Sequence, residues 1–539
     1  MKFINKHDPL LNQLKNLTYM ITKWKLGNFR SVREETGLDF APLTVFAGAN
    51  SSGKSTLLKS ILLVAQTLSH KDISQPLVLN GELIKLGDID DIISANSTSN
   101  KIIIGWECSH LKDNAQRVRE LINIKKIDQY NILRNKTYCE IAIIPDDSES
   151  LLESSYRVKP ILSYSYFITN DYSLKADRFD ISEIGINEKW CNATKDVNLL
   201  VGLKYKIEDA ESHYDDSDNW IYDYNESLEG IGVGCMFQHF LPSKIVTGEK
   251  WINKKGEKQM RVNVQSLPPL AFAATESIRN FFSNSVCYIG PLRASPKSVY
   301  ERSLNSSSND IGTKGENTPE VFSEHKEENI RYIPSSCFDS PGCITAQVDA
   351  SLAHAVIDWL CYLGVAENIS STDKGKYGFE LGVMMGNSNV INDLTQVGIG
   401  VSQVLPILVG GLLAKPDTTL IYEQPELHLH PKVQSRLADF FLAMTQLGKQ
   451  CLVETHSEHI INRIRLRIAE GSDGSPWHDA AKVYFVENKN DSSTFREIKI
   501  DECGGILVWP EGFFDERQQE TERILRAASQ KDVKKWKDN

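Results

Sequence analysis

Apolar positions in this chain fall into short runs with two different periods. Leu43-Thr44-Val45-Phe46-Ala47 is a β-branched and aromatic run that predicts a buried strand. After a glycine-containing turn, Thr56 to Leu68 sets Leu57, Leu58, Ile61, Leu62 and Ala65 on one stripe, which predicts a helix. Far downstream, Leu420-Ile421-Tyr422 is an apolar strand ending in carboxylates. Val404 to Ala414 reads as a buried helix, and Cys451-Leu452-Val453-Glu454 as another strand. Between these two groups lie strand-like runs at Lys101–Trp106, Tyr138–Ile144 and Ile161–Ile168, and a short helical stretch at Gln116–Lys125. Residues 305–329 are rich in Ser, Asn, Glu and Gly and predict a mobile loop. Sustained apolar heptads and internal repeats are absent. The pattern predicts an α/β protein with a long α+β insertion.

The turn after the first strand carries chemistry. Gly48-Ala49-Asn50-Ser51-Ser52-Gly53-Lys54-Ser55 fits the phosphate-binding pattern G-x-x-x-x-G-K-[ST], in the strand–loop–helix context that pattern requires. Polyphosphate needs converging backbone N–H groups and the positive end of a helix dipole. ATP contacts are therefore expected from Asn50, Ser51, Ser52, Gly53, Lys54, Ser55 and Thr56. Lys54 is expected to neutralise the β and γ oxygens and the Ser55 hydroxyl to ligate Mg²⁺.

The downstream motifs complete the set in a fixed order. A turn at Val397-Gly398-Ile399-Gly400-Val401-Ser402-Gln403 precedes the acidic strand end at Glu423, and the next strand ends in Thr455-His456-Ser457. These are the parts of an ABC-class site, with Lys54 and Glu423 acting in cis and the Ser402 turn capping the γ-phosphate of a second subunit.

With Asn28-Phe29-Arg30-Ser31, Tyr288-Ile289-Gly290-Pro291-Leu292-Arg293 and Glu423-Gln424-Pro425-Glu426-Leu427-His428-Leu429-His430-Pro431 added, the chain resembles the RecF/SMC/OLD-type branch of ABC ATPases. The segment Gly505 to Asp515 is similar to a DUF3696-type C-terminus. The nearest functional group suggested by these motifs is the PtuA-like ATPase of Septu and some retron antiphage systems. The resemblance implies an ABC-type ATPase head, a mixed sheet with flanking helices, interrupted by the insertion. It implies that Glu423 holds Mg²⁺ with Ser55, that His456 senses the γ-phosphate, and that Gly398, Gly400, Ser402 and Gln403 form the signature turn. The sequence departs from the general ABC pattern at Gln424, where a catalytic glutamate normally follows the Mg²⁺ carboxylate. An amide cannot take a proton from water, so Gln424 can orient water but not serve as its base. Glu426 is the nearest substitute, although Pro425 fixes its direction, and Glu454 is a weaker one. Slow hydrolysis, or use as an ATP-responsive clamp, is expected.

Composition narrows the class. The 539 residues are 41% hydrophobic and 24% charged, ordinary for a globular protein of more than one domain. Ten cysteines without a C-x-x-C pair fit reduced thiols, and His428, His430, His456 and His459 lack the second half-site that zinc needs. Met1 to Thr18 has no secretory apolar core and no run is long enough for a membrane span, so a cytoplasmic protein is expected. A net charge of −11 argues against coating nucleic acid indiscriminately. Lys254, Lys255, Lys258 and Arg261, and separately Lys531, Lys534, Lys535 and Lys537, form local basic clusters. Residues 211–230 hold seven acids and no Lys or Arg, with Tyr214, Trp220, Tyr222 and Tyr224 among them, a composition suited to an exposed loop or to docking a basic protein. Only 83 residues follow His456, too few for the nuclease domain of OLD-class enzymes, so any cutting is expected of another chain.

The expected organisation is an N-terminal ATPase lobe over 1–106, an inserted arm over 107–285 and a return segment over 286–345. A C-terminal ATPase lobe over 346–500 and a tail over 501–539 complete it. One reading is an ATP-binding sensor or scaffold of an antiphage complex, a head-to-tail homodimer or larger, that restrains a small HNH-type nuclease. A retron RNA and reverse transcriptase are possible members of that complex. The alternative is a RecF-like DNA-repair ATPase that binds DNA directly, and a third is an inactivated enzyme using ATP as structural glue.

Overall fold

A computed structural model describes residues 19–110, 136–145, 160–169, 172–177, 191–193, 220–224, 231–252, 258–267, 269–301, 309–339, 346–386, 390–471, 477–508, 510 and 520–528. Its centre is a six-stranded sheet of β1 (Leu43–Ala47), β2 (Val286–Ile289), β3 (Thr419–Glu423), β4 (Gln450–Thr455), β5 (Ala481–Lys489) and β6 (Ser492–Ile498). The strand order is β2-β3-β4-β1-β5-β6. Neighbours from β2 to β5 run parallel, and β6 closes the edge antiparallel to β5.

Both faces of this sheet are covered, which is why its strands read as near-continuous apolar runs. Side chains alternate between faces along each strand. Leu43, Val45, Ala47, Leu420, Tyr422, Cys451, Val453, Val483 and Phe485 enter one core. Phe46, Ile421, Leu452, Tyr484 and Val486 enter the other. The first core contains helices α2 (Gly400–Leu413), α3 (Pro431–Gln446) and α4 (Glu458–Glu470), with helix Leu352–Leu363. Within it, fully buried Asp439 accepts bonds from Arg463 Nε at 2.8 Å, Arg467 Nε at 2.7 Å and Tyr362 Oη at 2.6 Å. Lys449 Nζ donates to the Gly411 and Leu412 carbonyls at 2.7 and 3.2 Å, satisfying the C-terminal end of α2.

The second core holds α1 (Lys54–Ser69), buried along nearly its whole length. It is roofed by a seven-stranded antiparallel sheet in the order Thr36–Asp39, Tyr19–Gly27, Ile102–His110, Lys136–Pro145, Pro160–Thr169, Tyr172–Asp177, Cys191–Ala193. Trp24 stacks on Trp106 at 5.8 Å and donates from Nε1 to Ser60 Oγ of α1 at 2.8 Å. Gln450 of β4 bonds the Ile21 backbone through both side-chain ends, at 3.2 and 2.7 Å, and so ties the two sheets together. Helix Pro269–Asn284 adds Ile278, Phe281 and Phe282 to the same core. A separate four-stranded antiparallel sheet comprises Trp220–Tyr224, Ile231–Gln238, Leu241–Ile252 and Lys258–Ser266.

Several expectations meet differences. A boundary at 106/107 falls inside strand Ile102–His110, because the roofing sheet passes from the N-terminal strands into the inserted ones without a break in pairing. The stretch 305–329, expected to be mobile, includes helix Thr318–His325. Its polar composition hides Val321 and Phe322, which reach the core against α2 and fix the segment. Residues 220–224 form a strand rather than part of a loop. The helical stretch expected at Gln116–Lys125 lies outside the described residues, as do Lys254, Lys255, Tyr214 and the basic cluster at 531–537. Among the described residues, no helix is long and apolar enough to cross a membrane.

Candidate functional site

Parallel pairing brings the carboxyl ends of β1 to β4 to one sheet edge, the usual place for a ligand in an open α/β sheet. Registers are matched there: Ile289 faces Tyr422, and Glu423 faces Glu454, which in turn faces Phe46. The loop 48–53, the turn 290–293, the turn after Glu423 and residues 456–457 therefore lie side by side.

The phosphate loop is held in its bend by close packing. Gly48 and Gly53 have φ of 152° and 100°, and Ser51 sits in the left-handed region at 61°. A Cβ at Gly48 would collide with the Val486 carbonyl, and one at Gly53 with the hydroxyls of Ser493 and Ser31. Ser493 Oγ donates to Ser52 O at 2.7 Å and Ser493 N to Ser31 O at 2.6 Å. Ser31 Oγ and Thr56 Oγ1 are 2.9 Å apart. The loop thus stands between the turn at Asn28–Ser31, whose Asn28 and Arg30 are left-handed, and the β5–β6 hairpin. Neither Ser31 nor Ser493 was foreseen as a site residue.

Lys54 and Ser55 open α1, whose first N–H groups have no partners within the helix. Buried Lys54 donates from Nζ to Gly48 O at 3.0 Å and Ala49 O at 2.6 Å. Burial lowers its pKa, opposed by Glu454 and Glu426. Ser55 Oγ donates to Glu454 Oε1 at 2.9 Å. Glu454, read from sequence as a secondary candidate, is therefore the residue that orients Ser55. The alternation that sends Ile421 and Leu452 toward α1 sends Glu423 and Glu454, two residues on, the same way.

Three carboxylates gather here, each at least nine-tenths buried: Glu423 4%, Glu426 7% and Glu454 2% exposed. Each keeps one oxygen, Glu423 Oε1, Glu426 Oε2 and Glu454 Oε2, without a hydrogen-bond partner. Burial, followed by the nearby Glu454 charge, pushes Glu423 up to about 7. Burial also raises Glu426 and Glu454. Buried carboxylate oxygens without donors suit a hard cation. They do not form a closed cage: no group of three or more His, Cys, Asp and Glu among the described residues is arranged to hold a metal by itself. That fits Mg²⁺, which takes one or two carboxylates and completes its shell with water and phosphate oxygens.

Gln424 has a φ of 44°, donates its backbone N–H to Glu454 O at 2.8 Å, and places Nε2 3.4 Å from His456 Nε2. Glu426 Oε1 accepts the His456 N–H at 2.6 Å, so the turn and the end of β4 brace each other. Burial, then the Lys54 charge, lowers the His456 pKa. Ser457 caps α4 and donates to Gln434 Oε1 at 2.6 Å. His430 caps α3, its Nδ1 accepting from Lys432 N at 3.3 Å.

The turn at 398–403, expected as the signature turn, stands apart. Gly398 and Ile399 are exposed, Gly400 begins α2, Ser402 Oγ donates back to Ile399 O at 2.7 Å, and Gln403 is buried. No hydrogen bond among the described residues joins this turn to Lys54, Ser55 or the carboxylates. The site as folded thus gathers Lys54, Ser55, Glu423, Gln424, Glu426, Glu454 and His456, but not Ser402 or Gln403.

An α/β sheet with a glycine-bent loop feeding a helix N-terminus, beside an acidic strand end, defines a P-loop nucleotide-binding ATPase. Residues 20–461 match the family described as AAA ATPase domain, and the chain belongs to that family. Residues 477–524 match the family described as protein of unknown function DUF3696. No curated protein matches the chain. Among solved structures it is similar to the SmcHead bound to the C-winged helix domain of ScpA, at 11% identity, covering 90% of this chain and 98% of that one, with a TM-score of 0.40. It is also similar to the SMC head domain from Thermotoga maritima (8% identity, 89% and 99% covered, TM-score 0.33). A third is the Pyrococcus furiosus Smc head with an extended coiled coil bound to the C-terminal domain of ScpA (9%, 94% and 100%, TM-score 0.35).

Proposed function

We propose that this ATPase is the nucleotide-gated sensor or scaffold of an antiphage defence complex, that it hydrolyses ATP slowly, and that it controls a separate small HNH-type nuclease. The observation that carries the slow, gated turnover is the environment of Gln424. A residue unable to accept a proton follows Glu423, and its side chain is turned to His456. The defence role and the nuclease partner draw on the motif resemblance to PtuA-like ATPases.

In this reading the backbone N–H groups of Asn50 to Thr56 and the Lys54 ammonium take the phosphates, and Ser55 and Glu423 hold Mg²⁺. Bound Mg²⁺ neutralises the β and γ oxygens. By accepting the Ser55 proton, Glu454 leaves the Ser55 oxygen lone pairs free for the ion. Glu426 offers Oε2 as the base while Oε1 is occupied by the His456 N–H. A second copy would bring the exposed Gly398–Ile399 turn and Ser402 to the γ-phosphate, assembling a head-to-tail dimer only when ATP is bound.

The test is ATP binding and turnover by the purified full chain, with Lys54→Ala as blank, with and without DNA. The expected result is tight binding with turnover below the roughly 1 s⁻¹ at the low end of ordinary enzymes. Turnover is expected to be indifferent to DNA and lost in Glu426→Gln, and a small nuclease should co-purify from the native source. Turnover raised severalfold by DNA, with DNA affinity that falls steeply with salt, would overturn this and favour a RecF-like repair ATPase.

A further inference from the structure

Arg293 lies in the turn after β2, against the turn after β3, and is only 8% exposed. Its Nη1 donates to Pro291 O at 2.9 Å and to Gln424 O at 3.0 Å. Its Nε and Nη2 are buried without any partner. A guanidinium carries five donors in a rigid fork and remains charged, so buried N–H groups left free are costly unless they have a use. They stand in a defined neighbourhood: Tyr288 from β2, Tyr422 and Glu423 from β3, and Glu426 just beyond it. Lys54 from α1 also interacts with Glu426, and the His456 N–H from the end of β4 donates to its Oε1. Glu426 is the carboxylate that interacts with both Lys54 and Arg293.

We propose that Arg293 is a positioning residue for hydrolysis: it pins the left-handed Gln424 by its carbonyl and so fixes the turn that carries Glu426. This deepens the ATPase reading above and rests on it. The bond to Gln424 O sets the direction of the turn that leads through rigid Pro425 to Glu426. The Arg293 Nε and Nη2 stay buried without a partner, while Glu426 and Glu423 act on the guanidinium charge. With Gln424 unable to act as base, a Glu426 held in a fixed direction is what turnover requires.

The test is single-turnover hydrolysis of γ-labelled ATP across pH by the full chain, with nucleotide affinity measured separately. Arg293→Gln is expected to leave ATP affinity within about threefold and cut the hydrolysis rate roughly 10- to 100-fold. It should also move the acidic limb of the pH–rate profile to higher pH, because losing a cation raises the pKa of the base. Arg293→Lys keeps the charge and loses the fork, so its acidic limb should stay in place while the rate falls about tenfold. A slower Gln variant with an unmoved limb would reduce Arg293 to a structural residue and overturn the proposal, as would a Gln variant matching wild type. If the Gln variant melts below the assay temperature, the Lys variant decides, and a Lys variant equal to wild type overturns it. A wild-type chain that binds ATP but releases no phosphate sinks the hydrolytic reading itself, a result distinct from active wild type with equally active variants.

Discussion

Glu423 and Glu454 face each other as paired residues at the ends of adjacent parallel strands, both directed to the N-terminus of α1. The pair concentrates negative charge where a helix dipole and Lys54 concentrate positive charge, and its titration is the simplest handle on the site.

Glu423 is raised from 4.5 to about 7 by burial and by Glu454. A carboxyl with a raised folded pKa contributes stability that is fully present below about pH 4.5 and lost as pH rises through about 7. The nucleotide-free chain should therefore lose stability relative to Glu423→Gln between pH 5 and 8, by up to about 3 kcal/mol. Paired melting curves over that range check it, and a difference that does not change with pH would rule it out.

Gly53→Ala should fail in two ways at once. It forces a side chain into φ of 100° and against Ser493 and Ser31, a strain of about 1–3 kcal/mol. Making room with Ser493→Gly should restore part of the stability but not ATP affinity, since the backbone strain persists in the loop that binds phosphate. Denaturation and nucleotide titration of the single and double variants separate the two effects.

Gln424→Glu introduces a base beside Glu423 but also a fourth carboxylate into a crowded cluster. Turnover should rise severalfold, and by more at pH 8.5 than at pH 7, because the new group must ionise among like charges. Steady-state rates at the two pH values are the measurement. Unchanged turnover at both would show that proton abstraction at this position does not limit the reaction.

Asp439→Asn leaves half-buried Arg463 and buried Arg467 against an uncharged partner. Breaking such a pair from one side costs about 3–5 kcal/mol. Because the cluster lies on the sheet face opposite α1, ATP affinity of the folded protein should hold within about threefold. Urea unfolding with and without ATP tests both statements.

The central sheet was legible because both of its faces are dry, and β1, β3 and β4 stand out as apolar runs that the structure extends by a residue or two at most. Lys54, Ser55 and Glu423 were legible from a loop pattern and a strand end. What was hidden depends on pairing between distant segments. Arg293 is one arginine in a Gly-Pro-Leu-Arg turn, and nothing local says that β2 lies beside β3. The partnership of Ser55 with Glu454 needed the register of β3 with β4. Ser493 carries no pattern, and the Asn28–Ser31 motif does not say that its serine touches the phosphate loop; only a loop squeezed between two hydroxyls reveals that. Helix Thr318–His325 was masked by composition, since two adjacent apolar residues suffice to anchor it.

The phosphate loop leans on Ser493, 441 residues further along the chain from the Ser52 carbonyl it binds. Strand β1 is bracketed by β4 and β5, both made late in synthesis. A ribosome that has released β1 must therefore translate through Thr455 before the strand gains either neighbour. Until then β1 has two open edges, the condition that invites mispairing in a nascent protein. A chain stopped before residue 450 therefore carries the phosphate loop on a strand with no partner in the central sheet, and ATP affinity should appear only in chains that include β4 and β5.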